Sequence, residues 1–211
     1  MKTIIHNIGT LAGILPEGVL KLEGAQMNQV ECIDNAYLVI EDGVICDFGA
    51  ANSCTGIDNH TATPDTDIEH IDAEGGFVMP CFCDSHTHIV YAGSREQEFL
   101  DKINGLSYEE IAKRGGGILN SADRLHDTSE DELYRQAMER IDEIVAMGTG
   151  LVEIKSGYGL TLEDELKILR VIRRIRQNAP IEVRATFLGA HAVGRAYKGR
   201  QAEYVEHVCR D

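Results

Sequence analysis

Apolar and polar positions change their rhythm along this chain near residue 76. Up to about Asp72 the apolar residues come in short, β-rich runs separated by turn residues. The clearest is Ala36–Ile40, followed by Glu41-Asp42-Gly43 and then Val44–Phe48. Asp-Gly between two such runs predicts a hairpin. Residues 51–72 are polar and rich in turn formers, and read as a loop leading into a second region. From Gly76 the spacing predicts strands alternating with helices. Ser107-Tyr108-Glu109-Glu110 and Ser129-Glu130-Asp131-Glu132 each place a hydroxyl three residues before a Glu, the reciprocal cap that opens a helix. Thr161-Leu162-Glu163-Asp164 is a weaker version. The helix after Ser129 carries Leu133, Ala137, Ile141, Ile144 and Val145 on one stripe and stops at Gly148. The helix after Thr161 carries Leu166, Leu169, Ile172 and Ile175 and ends before Pro180. Both stripes have the 3.6-residue period of helices packed on a sheet. Residues 150–155 and 181–188 are strand-like, and a further helix is expected from about Gly199.

This alternation predicts an α/β fold with a parallel sheet. The expected division is a small β-rich domain over residues 1–75 and a βα region over 76–211. Three strands are expected in the second region, fewer than a closed (β/α)8 barrel of roughly 250 residues contains. Catalytic groups in such folds gather at the carboxyl ends of strands, and His88, Lys155 and His191 all fall at predicted ends.

Composition narrows the function. The 211 residues hold 35 acidic and 20 basic side chains, a net charge of −15. Such a surface repels phosphate, so neither nucleic acid nor an anionic membrane is an expected partner. An anionic substrate would need a locally placed Arg or Lys. No apolar stretch reaches the ~18 residues of a membrane span. The start, Met1-Lys2-Thr3-Ile4-Ile5-His6, is not patterned as an export signal. The six cysteines lack the spacing of a disulfide framework, so reduced thiols and a cytoplasmic location are expected.

The chemistry centres on Asp84-Ser85-His86-Thr87-His88, which ends the apolar run begun at Gly76. Strand alternation would put Asp84, His86 and His88 on one face, where two imidazoles could share a divalent ion. The same alternation puts Cys81 and Cys83 on the other face, so a joint cluster would require a bulge, and buried thiols are expected instead. Gly115-Gly116-Gly117 lacks the Lys-Ser/Thr ending of a phosphate loop and reads as a helix terminator and pocket wall. His6, His60, His70, His126 and His207 have no partner at ligand spacing and read as surface groups. Lys155 reads as structural.

Four separated stretches, His88–Glu96, Gly115–Ile118, Glu153–Leu160 and Thr186–Val193, together with Phe77–His88, resemble the imidazolonepropionase family of the amidohydrolase superfamily. Cys81 stands where that family usually has Gly. The resemblance implies a partial (β/α)8 TIM-type barrel, first strands only, preceded by a small β-sandwich-like domain. It implies one divalent metal ion, Zn or Fe, held by His86 and His88, with the remaining metal ligands and the general base on later strands. The implied reaction opens the ring of 4-imidazolone-5-propanoate with water to give N-formimidoyl-L-glutamate in histidine degradation. Arg95 would grip the substrate carboxylate, Tyr158 would contact the substrate, His191 would serve binding and catalysis, and Tyr108 would line the pocket. A homodimer is a further implication. Two alternatives stay open: another metal-dependent cyclic amidohydrolase or deaminase, and a non-catalytic fragment.

Overall fold

A computed structural model describes residues 1–53, 68–113 and 116–210. Its contacts divide the chain into two units, Met1–Pro80 and Cys81–Asp211. The first unit is a five-stranded sheet in the order β3-β2-β1-β4, with β5 also on β1. Here β1 is Lys2–Ile14, β2 Glu31–Glu41, β3 Val44–Ala50, β4 Ile68–Asp72 and β5 Phe77–Val78. The β2–β3 hairpin turns at Asp42 and Gly43, both with positive φ (49° and 82°), as the Asp-Gly signal requires. Alternation along β2 sends Ala36 and Leu38 into one apolar cluster with Ile8 and Leu11. It sends Tyr37 and Val39 into another with Ile4. Both faces of this one sheet are therefore apolar.

Two expectations fail here. Residues 68–72, read as loop, form β4, which pairs parallel to β1 from Lys2↔Ile68 to His6↔Asp72. Polar residues interleave Ile68 and Ile71 and hide the strand. The remainder of that expected loop, 54–67, lies outside the described residues. The run from Gly76 also does not form one strand, because it breaks between β5 and β6 around Pro80, whose missing N–H cannot join a ladder.

The second unit is built on a parallel sheet, β6-β7-β8, formed by Phe82–Thr87, Thr149–Lys155 and Glu182–Thr186. Helices α1 (Glu96–Ile103), α2 (Tyr108–Lys113), α3 (Ile118–Asp127) and α4 (Glu130–Ala146) connect β6 to β7. Helix α5 (Leu162–Asn178) connects β7 to β8, and α6 (Gln201–Arg210) follows. The expected caps are in place. Ser129 Oγ accepts from the Glu132 N–H at 3.2 Å, and Ser107 and Glu110 bond reciprocally. Val152, Ile154 and Val183 of the sheet are buried against Leu133, Ala137 and Ile141 of α4 and Ile168, Val171, Ile172 and Ile175 of α5. Each such fully buried aliphatic side chain contributes about 1.5–3 kcal/mol. The buried stripe of α5 is shifted from the expected one. Ile168 and Val171 face the sheet, whereas Leu166 is exposed and lines an apolar cavity with Phe187 and Tyr204. Among the described residues no helix is long and apolar enough to cross a membrane.

Candidate active site

Imidazole and phenol rings from three strand ends converge at the carboxyl edge of the parallel sheet. His86 lies in β6 and His88 just beyond it, with ring centroids 5.8 Å apart. Tyr158 follows β7 and stacks on His88 at 4.7 Å and an interplanar angle of 20°. His191 follows β8 and lies 5.1 Å from His88 and 5.7 Å from Tyr158.

Simple alternation does not produce this geometry. Asp84 pairs with Val152 and Thr87 with Ile154, so three steps of β6 run beside two of β7. The irregularity lies between Asp84 and Thr87 and interrupts the face that Asp84, His86 and His88 were expected to share. Asp84 instead turns its carboxylate on its own chain, accepting the His86 N–H at 3.1 Å. The Thr87 hydroxyl donates to the Glu153 carbonyl at 2.7 Å and ties the irregular segment to β7. Cys81 and Cys83, expected to be buried thiols, are exposed, and the residues of β6 around Cys83 are exposed on both faces of the strand.

His88 is half-buried and its Nδ1 is a buried atom with no hydrogen-bond partner; Oε2 of Glu153 is the other such atom among the described residues. Burial pushes the His88 pKa down, the positive charges of His191, His86 and Lys155 push it further, and Glu153 opposes them. The ring is therefore neutral at pH 7, the state that ligates a divalent ion. Glu153 sits beside Lys155, which donates to it. Burial raises the Glu153 pKa, but the Lys155 hydrogen bond and the charges of Lys155 and His86 outweigh it and hold the carboxyl below its usual range. Lys155 is thus engaged by a carboxylate one turn of the pleat away. Among the described residues no group of three His, Cys, Asp or Glu side chains comes together at metal-binding distance. The donor set present is two imidazoles, one carrying an orphan buried nitrogen. It fits part of a metal site.

Arg95 caps α1 and donates through Nε and Nη2 to one oxygen of Glu98, the Nε bond being 2.8 Å. The other Glu98 oxygen accepts the Gly117 N–H at 2.8 Å. This leaves the Nη1 edge of the guanidinium for a ligand. The Glu98 hydrogen bond, with weaker help from Tyr158 and Tyr108, holds the Arg95 pKa above its ordinary value. Tyr108 is exposed at the start of α2. Gly116 donates its N–H back to the Ile111 carbonyl of α2 at 3.0 Å, as the expected helix end requires, whereas Gly117 opens α3 with φ +90°; Gly115 lies outside the described residues.

The loop bearing Tyr158 is held from beneath. The N–H groups of Gly157, Gly159 and Leu160 donate to the Glu165 carboxylate at 2.8, 2.7 and 3.1 Å. Ser156 Oγ accepts the Leu188 N–H at 2.9 Å and ties this loop to the one that carries His191. Glu98 and Glu165 carry no motif signature in the sequence, and Glu153, though it opens the Glu153–Leu160 stretch, takes no role from it; only the place of Glu165 in the first turn after the Thr161 cap hints at backbone capping. His126, expected to stand alone, bonds the buried Asp164 at 2.8 Å, and His207 stacks on Tyr197 at 5.6 Å.

No family model matches the chain. It is 51% identical over 208 residues to an imidazolonepropionase of Flavobacterium johnsoniae, covering 99% of this chain and 49% of the relative. It is 51% identical over 211 residues to that of Flavobacterium psychrophilum, covering 100% and 49%. It is 42% identical over 188 residues to that of Clostridium tetani, covering 89% and 44%. Among solved structures, Escherichia coli guanine deaminase matches with a TM-score of 0.56 at 13% identity, covering 98% of this chain and 42% of that one. A Klebsiella pneumoniae 5-methylcytosine deaminase liganded with 5-fluorocytosine matches at 0.55 and 16%, covering 99% and 41%. These structures share the fold. The sequence resemblance to imidazolonepropionases runs the length of the chain, and the chain spans about half the length of the curated relatives it matches.

Proposed function

We propose that this chain, by its sequence a member of the imidazolonepropionase family, carries the carboxylate grip and part of the metal seat of a ring-opening hydrolase. In this reading the second unit, Cys81–Asp211, holds the first strands of a (β/α)8 barrel. The first unit, Met1–Pro80, belongs to a composite β-sandwich, a reading that the apolar clusters on both faces of its sheet support. The substrate is 4-imidazolone-5-propanoate, and water cleaves its amide-like C–N bond to release N-formimidoyl-L-glutamate. The observation that carries the proposal is the meeting of His88, Tyr158 and His191 from three strand ends.

Each side chain has a task in that reaction. Arg95 offers its Nη1 edge to the propanoate carboxylate, a charge-assisted bond on a guanidinium that Glu98 holds still. Tyr158, stacked on His88, would contact the substrate ring and keep bulk water from it. The His191 imidazole hydrogen-bonds the ring carbonyl oxygen as negative charge develops there. Tyr108 closes the mouth of the pocket. His86 and His88 would hold the divalent ion, Zn or Fe, and neutral imidazole suits either. When bound, such an ion lowers the pKa of its water to roughly 7 and so supplies hydroxide at neutral pH. The free thiols of Cys32, Cys46, Cys81, Cys83 and Cys209 fit a reducing, cytoplasmic compartment.

The test is turnover by the full-length protein. Release of formimidoyl-glutamate from the imidazolone, with loss of about 10²-fold or more in kcat/KM for Arg95→Gln, is the expected result. Equal turnover of an analogue lacking the carboxylate would defeat the assignment in favour of another cyclic amidohydrolase.

A further inference from the structure

Glu165 is a carboxylate only 4% exposed, yet among the described residues it meets no cationic side chain. Its carboxylate accepts hydrogen bonds from the main chain of one loop, through the N–H groups of Gly157, Gly159 and Leu160. A buried charge is tolerated when donors surround it, and the first turn of α5 adds its partial positive charge. The loop so gripped is otherwise an unfavourable shape. Gly157 has φ +111° and Leu160, which has a side chain, φ +57°. A Cβ at Gly157 would lie 2.8 Å from His191 Cβ, and one at Gly159 would lie 2.4 Å from the Glu165 nitrogen. The three donors flank Tyr158 on both sides, so the carboxylate sets the height and tilt of the ring stacked on His88.

We propose that Glu165 is a positioning residue, whose carboxylate clamps the Gly157–Leu160 main chain and thereby fixes Tyr158 over His88 and beside His191. The catalytic consequence rests on the reading of Tyr158 and His191 as substrate contacts, whereas the clamp itself does not. Gln in place of Glu165 would keep the shape, lose the charge, and point an NH2 group at loop N–H donors. The hydrogen bond from the Leu188 N–H to Ser156 Oγ and the α5–sheet core would remain, since neither uses the carboxylate.

Amide hydrogen exchange on the wild-type protein is the first measurement. The Gly157, Gly159 and Leu160 amides should be protected to the level of the β7 core, and Glu165→Gln should speed their exchange by about tenfold or more while Val152 and Ile154 stay unchanged. Glu165→Asp should recover part of the protection. The His88 Cε1–H resonance should move in Glu165→Gln toward its position in Tyr158→Ala, because the first displaces the stacked ring and the second removes it. In the full-length protein Glu165→Gln should lower kcat/KM by about tenfold or more, and should cost far less in a Tyr158→Ala background. Unprotected loop amides in the wild type, or losses that multiply in the double variant, would overturn the proposal. Expected amide and resonance changes in a protein that never turns over the imidazolone would overturn the proposed function and leave the clamp supported.

Discussion

At the scale of single residues, Gly157 shows how closely the loops at the sheet edge are fitted. Ala there would face His191 Cβ at 2.8 Å and the Leu188 carbonyl at 2.9 Å, at a φ that only glycine adopts freely. Gly157→Ala is expected to cost about 1–3 kcal/mol in chemical denaturation and to displace the His191 ring resonances. The sequence pattern Ser-Gly-Tyr-Gly already announces a loop made for close backbone approach. What it approaches is a segment 34 positions away in number from Gly157 to His191, and no local pattern states that neighbour. The same is true of His126. Its hydrogen bond to Asp164 raises its pKa, and the charge of that carboxylate adds to the effect, against a small opposing loss of hydration. Asp164 is pushed up by burial but pulled further down by His126, Lys167 and Thr161. A histidine whose folded pKa is raised stabilises fully below its unfolded pKa of about 6.5, and that stabilisation is lost as pH rises through the folded value. A lowered Asp stabilises above its unfolded pKa and loses the effect as pH falls through the folded one. The pair should therefore serve best in mildly acid solution. The expected outcome is an unfolding midpoint that falls from pH 6 to pH 8.5 by more in the wild type than in His126→Gln, read by thermal denaturation.

At the scale of elements, caps and strand order were the legible part, and faces were not. Ser129 caps α4 as its spacing predicts, and Ser129→Ala should lose about 1 kcal/mol of stability. The stripe on α5 was read from Leu166, whereas the sheet is met by Ile168, Val171, Ile172 and Ile175. Both stripes have helical period; the choice between them depends on where β8 and α6 lie, which periodicity alone leaves open. Truncation separates the two: Ile172→Ala should cost about 2–5 kcal/mol and Leu166→Ala under about 1 kcal/mol, measured side by side in urea. Equal costs would mean that α5 is turned about its axis from the position described. Strand β4 was missed because its carboxylates and imidazole face outward on a short edge segment. In β6, alternation placed both histidines at the sheet edge but could not foresee the irregularity between Asp84 and Thr87. That irregularity is set by Thr87 bonding the Glu153 carbonyl and by Asp84 bonding its own chain.

At the scale of the whole molecule, the candidate metal seat and the charge of the chain pull a metal-binding measurement in opposite directions. The described residues bring the His86, His88 and His191 rings near one another, yet no three His, Cys, Asp or Glu side chains among them reach metal-binding distance. Two ligands hold a divalent ion weakly, and loss of even supporting groups costs about 10- to 100-fold in affinity. Against this, 35 acidic side chains over 20 basic ones attract cations everywhere on the surface. Bulk zinc content would therefore overstate what the histidines do. Salt removes the diffuse part, since at about 0.15 M ionic strength the screening length is about 8 Å. Substitution removes the specific part without altering the field, because His88 is neutral at pH 7 and His88→Gln leaves the net charge where it was. The 211-residue chain should thus take up zinc at low salt, lose most of it on dialysis against a mild chelator at physiological salt, and retain a remnant that His88→Gln abolishes. Because zinc itself is silent, cobalt substitution supplies the readout: four-coordinate, imidazole-bound cobalt absorbs far more strongly in the visible than octahedral cobalt held by water and carboxylates. Bands that survive in both His86→Gln and His88→Gln would place the ion elsewhere and remove the two imidazoles from the proposed site.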